Sequence, residues 1–296
     1  MVAVAVGQFA PGEDKEENLA AVRGLVAEAA GKGARVVLLP EYAMFTAPRT
    51  DERFVAAAEP LDGPFGSGLA ALAGEYGVHV VAGVNEFLPE APDRFSNTLV
   101  AFGPDGEPEA RYRKLHLYDA FGVTESAVVA PGPIAEPETF EVEGVLFGLQ
   151  TCYDLRFPEV TRRIADAGAH VLLLAAEWVP GPLKEDHWAT LLRARAIENT
   201  IYVAAAGQNA PTGSGNSMVV DPMGTRIVAL GEQTGVAVGR IDLARIAEVR
   251  EKNPALRLRR FTVVPASAAK RHQQSGQNIP SPLRLDRGIP WMTTKS

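Results

Sequence analysis

The sequence predicts an α/β fold, because apolar runs of strand length alternate with segments of helical periodicity. Residues 2–8 form one such run and residues 34–39 form another. Between them, Asp14 and Glu17 are spaced as in a capping box, and apolar residues then recur at helical spacing up to residue 29. A strand, a helix and a strand in this order predict parallel or mixed pairing, with the helix on one face of the sheet.

The rest of the chain repeats this alternation. Composition and turn signals predict helices over residues 66–76, 159–167 and 184–199, and strands over residues 78–84, 97–102, 109–114, 145–149, 170–176, 201–206, 217–220, 226–230 and 236–241. We find no internal repeat and no clean break in composition before about residue 262. We therefore predict a single domain over residues 1–262.

The last part of the chain differs in character. Residues 240–271 contain nine basic and three acidic side chains, and the segment that follows is polar and rich in turn residues. We predict that residues 263–296 form a C-terminal tail that either frays or packs on another surface, such as a partner subunit, and we favour the second alternative.

Composition excludes several classes of protein. The 296 residues are 46% hydrophobic and 22% charged, with a formal net charge of −7, which argues against nucleic-acid binding. No apolar run approaches the roughly 18–20 residues of a membrane helix, and residues 1–8 read as a strand, not as a signal peptide. The single cysteine excludes an intrachain disulfide framework and fits a reducing compartment, so we predict a cytoplasmic protein without membrane contact.

That cysteine, Cys152, lies where an apolar strand is expected to turn sharply into a helix that begins near Pro158. A thiol at such a turn projects from the sheet towards the free N–H groups of a helix start, which favour negative charge. Free cysteines are also common as small buried residues. The stretch by itself leaves both interpretations open.

Two further side chains suit the chemistry that a nucleophilic thiol needs. Glu41 comes just after the predicted strand 34–39, and ligand sites of α/β sheets gather at such strand ends. A glutamate in a loop is usually a solvated acid, but the neighbours of Glu41 are apolar. Such surroundings tend to raise the pKa of a carboxyl group, which suits a general base. Lys114 lies in a run where basic and aromatic residues alternate; this run fits an exposed strand edge, a weak nucleic-acid strip or a lysine drawn into a pocket to stabilise an oxyanion.

Other hydrolytic sites find little support. There is no G-x-S-x-G motif, the five histidines form no H-x-x-x-H pair, and no glycine-rich loop has the context of a phosphate site. The scattered histidines therefore argue against a zinc site. A thiol activated by a carboxylate, with a nearby cation, remains.

Three motifs resemble the signatures of the nitrilase superfamily of carbon–nitrogen hydrolases, in order and in spacing. They are Leu-Pro-Glu at 39–41, Tyr-Arg-Lys-Leu-His-Leu at 112–117 and Cys-Tyr-Asp-Leu-Arg-Phe-Pro-Glu at 152–159. The resemblance covers about residues 2–262. It implies a four-layer αββα sandwich, in which two sheets pack face to face with helices outside, and subunits that pair as a homodimer or a larger homo-oligomer.

The resemblance also implies roles for individual residues. Cys152 is the nucleophile, Glu41 the general base, and Lys114 with the backbone N–H of Tyr153 the oxyanion site. Glu125 resembles a second active-site glutamate that positions the lysine and the substrate. The resemblance implies no metal and no organic cofactor.

The sequence allows two interpretations for each of Trp178 and Arg156. Trp178 is expected either to line the acyl pocket or to pack in the core. For Arg156, a structural pairing with an acid near the helix start is favoured over binding of a substrate carboxylate.

Motifs at residues 186–199 and 217–222 resemble the Nit-type amidases, and residues 116–126 resemble actinobacterial members of the superfamily. This branch implies a cysteine-dependent amidase that cleaves a small linear carboxylate-bearing amide, such as deaminated glutathione or an ω-amide, through a thioester. A nitrilase or an N-carbamoyl amide hydrolase uses the same triad and remains an alternative. A further alternative is a non-catalytic binding protein that uses the basic region 240–271 for an acidic partner.

Overall fold

In a computed structural model that describes residues 1–266, the chain forms twelve strands and six α-helices. The strands are β1 (Val2–Gln8), β2 (Val36–Leu38), β3 (His79–Phe87), β4 (Phe95–Phe102), β5 (Pro108–Arg113), β6 (Thr139–Val142), β7 (Val145–Thr151), β8 (Val171–Ala176), β9 (Tyr202–Gly207), β10 (Met218–Val220), β11 (Arg226–Ala229) and β12 (Gly235–Ile241). The helices are α1 (Lys15–Gly31), α2 (Glu52–Ala57), α3 (Pro64–Tyr76), α4 (Pro158–Asp166), α5 (Lys184–Asn199) and α6 (Leu243–Lys252).

The strands form two six-stranded sheets with related topology. The first sheet has the order β12-β1-β2-β3-β4-β5, and the second has the order β11-β10-β9-β8-β7-β6. In each sheet three adjacent strands pair in parallel, β1-β2-β3 in the first and β7-β8-β9 in the second, and the outer strands pair antiparallel. The parallel strands need crossover connections, and these place the helices on the sheets.

Side-chain alternation along the central strands divides the core into layers. Val4 and Val6 of β1 pack in the same buried cluster as Phe147 and Leu149 of β7, so this cluster lies between the two sheets. Ala5, which points to the opposite face of β1, belongs to a different cluster. Strands covered on both faces in this way read as continuous apolar runs, which explains why the sequence of β1 is apolar throughout.

Helices cover the two outer faces. Apolar side chains of α1 and α3 pack with the first sheet, and those of α4 and α5 pack with the second. The four layers are therefore helix, sheet, sheet and helix, and the predicted αββα sandwich is confirmed. Contacts group Met1–Val263 into one compact unit.

Local signals define several element boundaries as predicted. The Asp14 carboxylate accepts hydrogen bonds from the N–H groups of Glu16 and Glu17 at 2.9 and 3.1 Å and so caps α1. Pro158 occupies the first turn of α4, where its missing N–H has no partner to lose.

Three elements were not predicted: α2, β6 and α6. The helix α6 lies within the basic region and begins after Asp242, whose side chain accepts the N–H of Ala244 at 3.0 Å. Only Ile246 and Val249 of α6 are buried, so its sequence shows a weak apolar stripe.

The prediction for the tail 263–296 concerns residues that lie, from residue 267 onward, outside the described residues. Among residues 1–266, no helix is both long enough and apolar enough to cross a membrane.

Candidate active site

A pocket of about 740 Å³ contains all six site residues that the sequence singled out: Glu41, Lys114, Glu125, Cys152, Tyr153 and Trp178. Strand ends build it. Glu41 follows β2 of the first sheet, and Cys152 follows β7 of the second without an intervening residue. The carboxyl ends of parallel strands from both sheets thus deliver side chains to one cavity.

The Glu41 carboxylate is held from three directions. Its Oε1 accepts hydrogen bonds from Lys114 Nζ at 2.9 Å and from Asn97 Nδ2 at 2.7 Å. Its Oε2 accepts the backbone N–H of Glu177 at 2.6 Å. The residue is 1% exposed, so these three contacts give the buried carboxylate a fixed orientation at the wall of the pocket.

The backbone of Glu41 also has a defined neighbour. Gly83 of β3 lies so close that an added Cβ would come within 2.6 Å of Glu41 Cα and of the Tyr42 nitrogen. A glycine is needed there because the two backbones approach too closely for any side chain.

Lys114 forms a buried ionic cluster with two carboxylates. Its Nζ lies 2.9 Å from Glu41 Oε1 and 2.9 Å from Glu125 Oε1, and the residue is 2% exposed. Burial alone would lower the pKa of Lys114, but the carboxylates of Glu125 and Glu41 outweigh burial and raise it well above its usual value. Lys114 is therefore a permanent positive charge within the pocket.

Glu125 anchors that charge from the other side. Its carboxylate accepts hydrogen bonds from the Tyr42 hydroxyl at 2.7 Å and from the Tyr118 backbone N–H at 2.5 Å, in addition to Lys114. Burial favours the neutral acid, yet the Lys114 charge and the Tyr118 N–H prevail and lower the pKa of Glu125. Glu125 is thus ionised and fixed.

Cys152 has an unusual backbone conformation for a residue with a side chain. Its φ of 43° lies in the left-handed region, which strains a non-glycine residue and is typical of functional turns. Its Sγ donates to the carbonyl oxygen of Glu177 at 3.6 Å. Burial and the nearby Glu41 carboxylate raise the pKa of the thiol well above its usual value, against the opposing effect of Lys114. The resting thiol is therefore protonated and needs a base to become a nucleophile.

The turn after Cys152 differs from the predicted one. A 3₁₀ helix, Cys152–Arg156, separates the strand from α4, so the cysteine begins this short turn and not the α-helix. Tyr153 is its second residue, and the first N–H groups of such a turn have no partner within it. The Tyr153 N–H thus remains a candidate donor to an oxyanion.

Asp154 connects this turn to the segment that carries Lys114. Its carboxylate accepts the Tyr112 hydroxyl at 2.7 Å and the His116 backbone N–H at 2.9 Å. Two of the sequence signatures are thereby locked together across the pocket, which fixes the position of Lys114 relative to Cys152.

Two residues that contact the site were not identified from the sequence: Glu177 and Asn97. Glu177 bonds to both Glu41 and Cys152 through its backbone, and its side chain lines the pocket. Burial and the charge of Glu41 raise the pKa of the Glu177 carboxyl well above its usual value. Its position after β8 is a strand-end signal of the same kind as that of Glu41. Asn97, within β4, carried no such signal, although it bridges Glu41 and Glu125.

Trp178 is 2% exposed in the core and also lines the pocket, so both interpretations of this residue remain open. The acid partner expected for Arg156 is absent among residues 1–266. Its guanidinium lies instead over the Trp178 ring, with Cζ 4.9 Å from the centroid. The expectation failed because no acid at the start of α4 comes within ion-pair distance of Arg156.

No group of three or more His, Cys, Asp or Glu side chains in the described part of the chain is arranged to hold a metal ion. The chemistry available to the pocket from its own residues is therefore that of a buried thiol, a fixed carboxylate and a permanent ammonium.

Comparison with known proteins gives relatives along most of the chain. It is 41% identical over 270 residues to hydrolase Rv0480c of Mycobacterium tuberculosis, a match that covers 86% of this chain and 94% of the relative. It is 40% identical over 259 residues to a deaminated glutathione amidase of Escherichia coli O157:H7, covering 87% and 97%. It is 34% identical over 276 residues to the omega-amidase NIT2 of Xenopus tropicalis, covering 89% and 96%.

Solved structures and a family model agree with these relatives. The fold is similar to that of Saccharomyces cerevisiae Nit3, described as a member of branch 10 of the nitrilase superfamily, with a TM-score of 0.77, 28% identity and coverage of 88% of this chain and 97% of that one. The model of the carbon-nitrogen hydrolase family matches residues 3–251. The chain belongs to the carbon-nitrogen hydrolase family, as a Nit-branch member of the nitrilase superfamily, and is a hydrolase acting on carbon–nitrogen bonds.

Proposed function

We propose that the protein is a cysteine-dependent amidase that hydrolyses a small linear carboxylate-bearing amide, similar to deaminated glutathione or an ω-amide, to an acid and ammonia. The observation that carries the proposal is that Glu41, Lys114 and Cys152 line one pocket, with Glu41 and Lys114 in direct contact. The names of the relatives support the amide class of substrate.

In the first half-reaction Glu41 takes the Cys152 proton as Sγ attacks the amide carbon. The C–S bond forms, and the carbonyl π electrons move to oxygen. Lys114 Nζ and the Tyr153 N–H stabilise this oxyanion, and one such donor contributes about 10²–10³-fold to the rate. When the oxyanion collapses, the C–N bond breaks, Glu41 gives its proton to the leaving nitrogen, and ammonia departs from a thioester.

In the second half-reaction the same groups act on water. Glu41 accepts a proton from water as the water oxygen attacks the thioester carbon, and the same donors stabilise the second oxyanion. Collapse breaks the C–S bond, releases the acid and returns the proton from Glu41 to sulfur. The carboxylate thus alternates between base and acid, and general acid–base catalysis of this kind contributes about 10²–10⁴-fold.

Glu125 acts through Lys114 in this scheme. Its ionised carboxylate holds the ammonium beside Glu41, so that the ammonium can remain in place when Glu41 becomes neutral after it accepts the proton. Glu125 therefore positions the cation and keeps the charge of the site balanced through the cycle.

Assembly and location form part of the same proposal. The resemblance to the superfamily supports a homodimer or a larger homo-oligomer. The polar composition of residues 263–296 supports a tail that packs on the partner subunit, and the single cysteine supports a location in the cytoplasm. Light scattering of the full chain and of a chain that ends at residue 262 tests the assembly; a full chain that is monomeric at micromolar concentration would contradict it.

The activity is tested by ammonia release from a panel of ω-amides, deaminated glutathione and nitriles, with release of carbon dioxide from N-carbamoyl amines measured in parallel. We expect ammonia from the carboxylate-bearing amides with the wild-type protein, and none with Cys152→Ala. Circular dichroism checks that the variant is folded. Turnover by folded Cys152→Ala would refute the mechanism, and carbon dioxide release from an N-carbamoyl amine would assign the alternative reaction.

A further inference from the structure

A second lysine of the pocket, Lys184, has surroundings unlike those of Lys114. It is the first residue of α5 and is 6% exposed. Its Nζ lies 4.8 Å from the Trp178 ring centroid, 5.1 Å from that of Tyr118 and 5.2 Å from that of Phe121. Its polar contact within residues 1–266 is the Tyr118 hydroxyl, at 3.3 Å. Aromatic rings stabilise the ammonium but supply no negative charge.

Lys184 also lacks a counter-ion. Among residues 1–266 no carboxylate lies within ion-pair distance of its Nζ, whereas Lys114 contacts two. A second cation lies close by instead, because Arg156 shares the Trp178 ring, and Arg156 Nε and Nη2 are buried without a hydrogen-bond partner among the described residues. Burial, which is the largest effect, and the charge of Arg156 lower the pKa of Lys184, whereas Cys152 and the nearby Glu185 carboxylate raise it. Among residues 1–266 neither of these two adjacent cations forms an ion pair, and together they favour an anion at this point of the pocket.

The backbone fixes the position of this ammonium. The Lys184 N–H donates to the Gly181 carbonyl at 3.0 Å, and the Lys184 carbonyl accepts Trp178 Nε1–H at 2.7 Å. Leu183, just before it, has a φ of 58°, a strained conformation for a leucine whose side chain is 70% exposed and so gains little from packing. The strain is explained if it serves to present the next side chain to the cavity.

The two lysines therefore divide the pocket between two kinds of charge. Lys114 is already neutralised by Glu41 and Glu125 beside the nucleophile, whereas Lys184 has unused donors. We propose that Lys184 binds the carboxylate of the substrate and thereby selects amides whose acyl chain carries a negative charge. This inference rests on the proposed amidase function, and it assigns to one residue the recognition of the acid group.

The test compares two amides of similar size that differ at the far end of the chain. Succinamate carries a carboxylate there, and 4-oxopentanamide carries an uncharged methyl ketone. With Lys184→Met we expect kcat/KM for succinamate to fall about 10- to 100-fold, mainly through KM, because a charged hydrogen bond is lost. The kcat/KM of Lys184→Met for the ketone should equal that of the wild-type protein. Lys184→Arg, which keeps the positive charge, should retain most of the wild-type activity on succinamate.

Arg49, an exposed cation that also lines the pocket, provides the matched control. Its charge is screened by solvent, so Arg49→Met should lower the succinamate value far less than Lys184→Met. Equal losses from the two variants would overturn the assignment to Lys184. An equal loss on succinamate and ketone with Lys184→Met would overturn it as well, since the lysine would then serve the reacting centre.

A binding measurement separates this inference from the proposed function. Calorimetry of succinamate with Cys152→Ala, and with Cys152→Ala combined with Lys184→Met, reports recognition without turnover. We expect binding to the first protein and a 10- to 100-fold weaker constant for the second. Equal affinity of the two proteins would refute the inference even if the enzyme releases ammonia, whereas wild-type protein that releases no ammonia while this difference persists would refute only the amidase function.

Discussion

The backbone N–H of Glu177 donates to Glu41 Oε2 at 2.6 Å, and the carbonyl of the same residue accepts from Cys152 Sγ at 3.6 Å. One residue thus fixes the base and the nucleophile relative to each other through its main chain. Neither contact uses a side-chain atom of Glu177, so a substitution of Glu177 retains both contacts. Substitutions of Glu41 or Cys152 remove the reacting groups themselves.

Glu41→Gln should separate hydrolysis from simple thiol reactivity. Glutamine keeps an acceptor for the Glu177 N–H but cannot take a proton, so kcat/KM should fall by about 10²–10⁴. The same change removes a negative charge that raises the pKa of Cys152. Alkylation of this single cysteine by iodoacetamide at pH 8 should therefore become faster while ammonia release collapses. If both rates fall together, Glu41 does not raise the thiol pKa in solution.

Lys114→Met should destabilise the fold as well as abolish activity. The substitution leaves the carboxylates of Glu41 and Glu125 buried without their cation, and an unpaired buried charge costs about 3–5 kcal/mol. Urea unfolding followed by circular dichroism measures the loss. The exposed pair Lys252–Glu248 provides the control, because Lys252→Met removes a lysine of similar pairing from the surface and should cost less than about 1 kcal/mol. Similar losses for the two variants would contradict the proposed role of the buried cluster.

Glu125 should link stability to pH on the acid side. Its folded-state pKa is depressed below the ordinary value of 4.5. The stabilisation it provides is thus present above pH 4.5 and is lost as pH falls below 4.5 through the lower folded-state pKa. The free energy of unfolding of the wild-type protein should decline over this range, and that of Glu125→Gln should decline less. If the free energy of unfolding falls equally steeply below pH 4.5 for both proteins, Glu125 does not contribute to the pH dependence of stability.

Gly83→Ala tests the close approach of β3 to the catalytic strand end. The new methyl group would lie 2.6 Å from Glu41 Cα, so the backbone must shift and carry the carboxylate with it. We expect loss of both stability and kcat. The control is Gly24→Ala in α1, where an added Cβ meets nothing within 4 Å and alanine should stabilise the helix by about 0.5–1 kcal/mol. A Gly83→Ala enzyme as active as the control would show that the backbone adapts without moving Glu41.

Glu41, Lys114 and Cys152 could be predicted from the sequence because each lies in a local motif next to a strand of recognisable composition. The strand before Cys152 and the strand before Glu41 are continuous apolar runs, since both faces of each sheet are covered. The same logic predicted the elements of the sandwich to within a few residues. The helices that were missed, α2 and α6, each bury only two side chains, so their sequences lack a marked apolar stripe.

The remaining site residues depend on contacts that only the tertiary structure creates. Asn97 reaches Glu41 and Glu125 from the middle of a strand, where nothing local marks it. Arg156 was expected to pair with an acid, yet its partner is an aromatic ring that follows a different strand. Lys184 reads as an ordinary helical lysine until the three rings around it are known. Contacts between side chains of distant segments are thus the part of the site that local sequence patterns do not indicate.

The protonated state of Cys152 also affects how readily peroxides oxidise this residue. Peroxides attack thiolates, and burial together with the Glu41 charge keeps this sulfur in the thiol form between turnovers. The sequence contains no other cysteine that could condense with a sulfenic acid and allow its recovery as a disulfide. We therefore expect the substrate-free site, with its protonated thiol, to be oxidised slowly by peroxide.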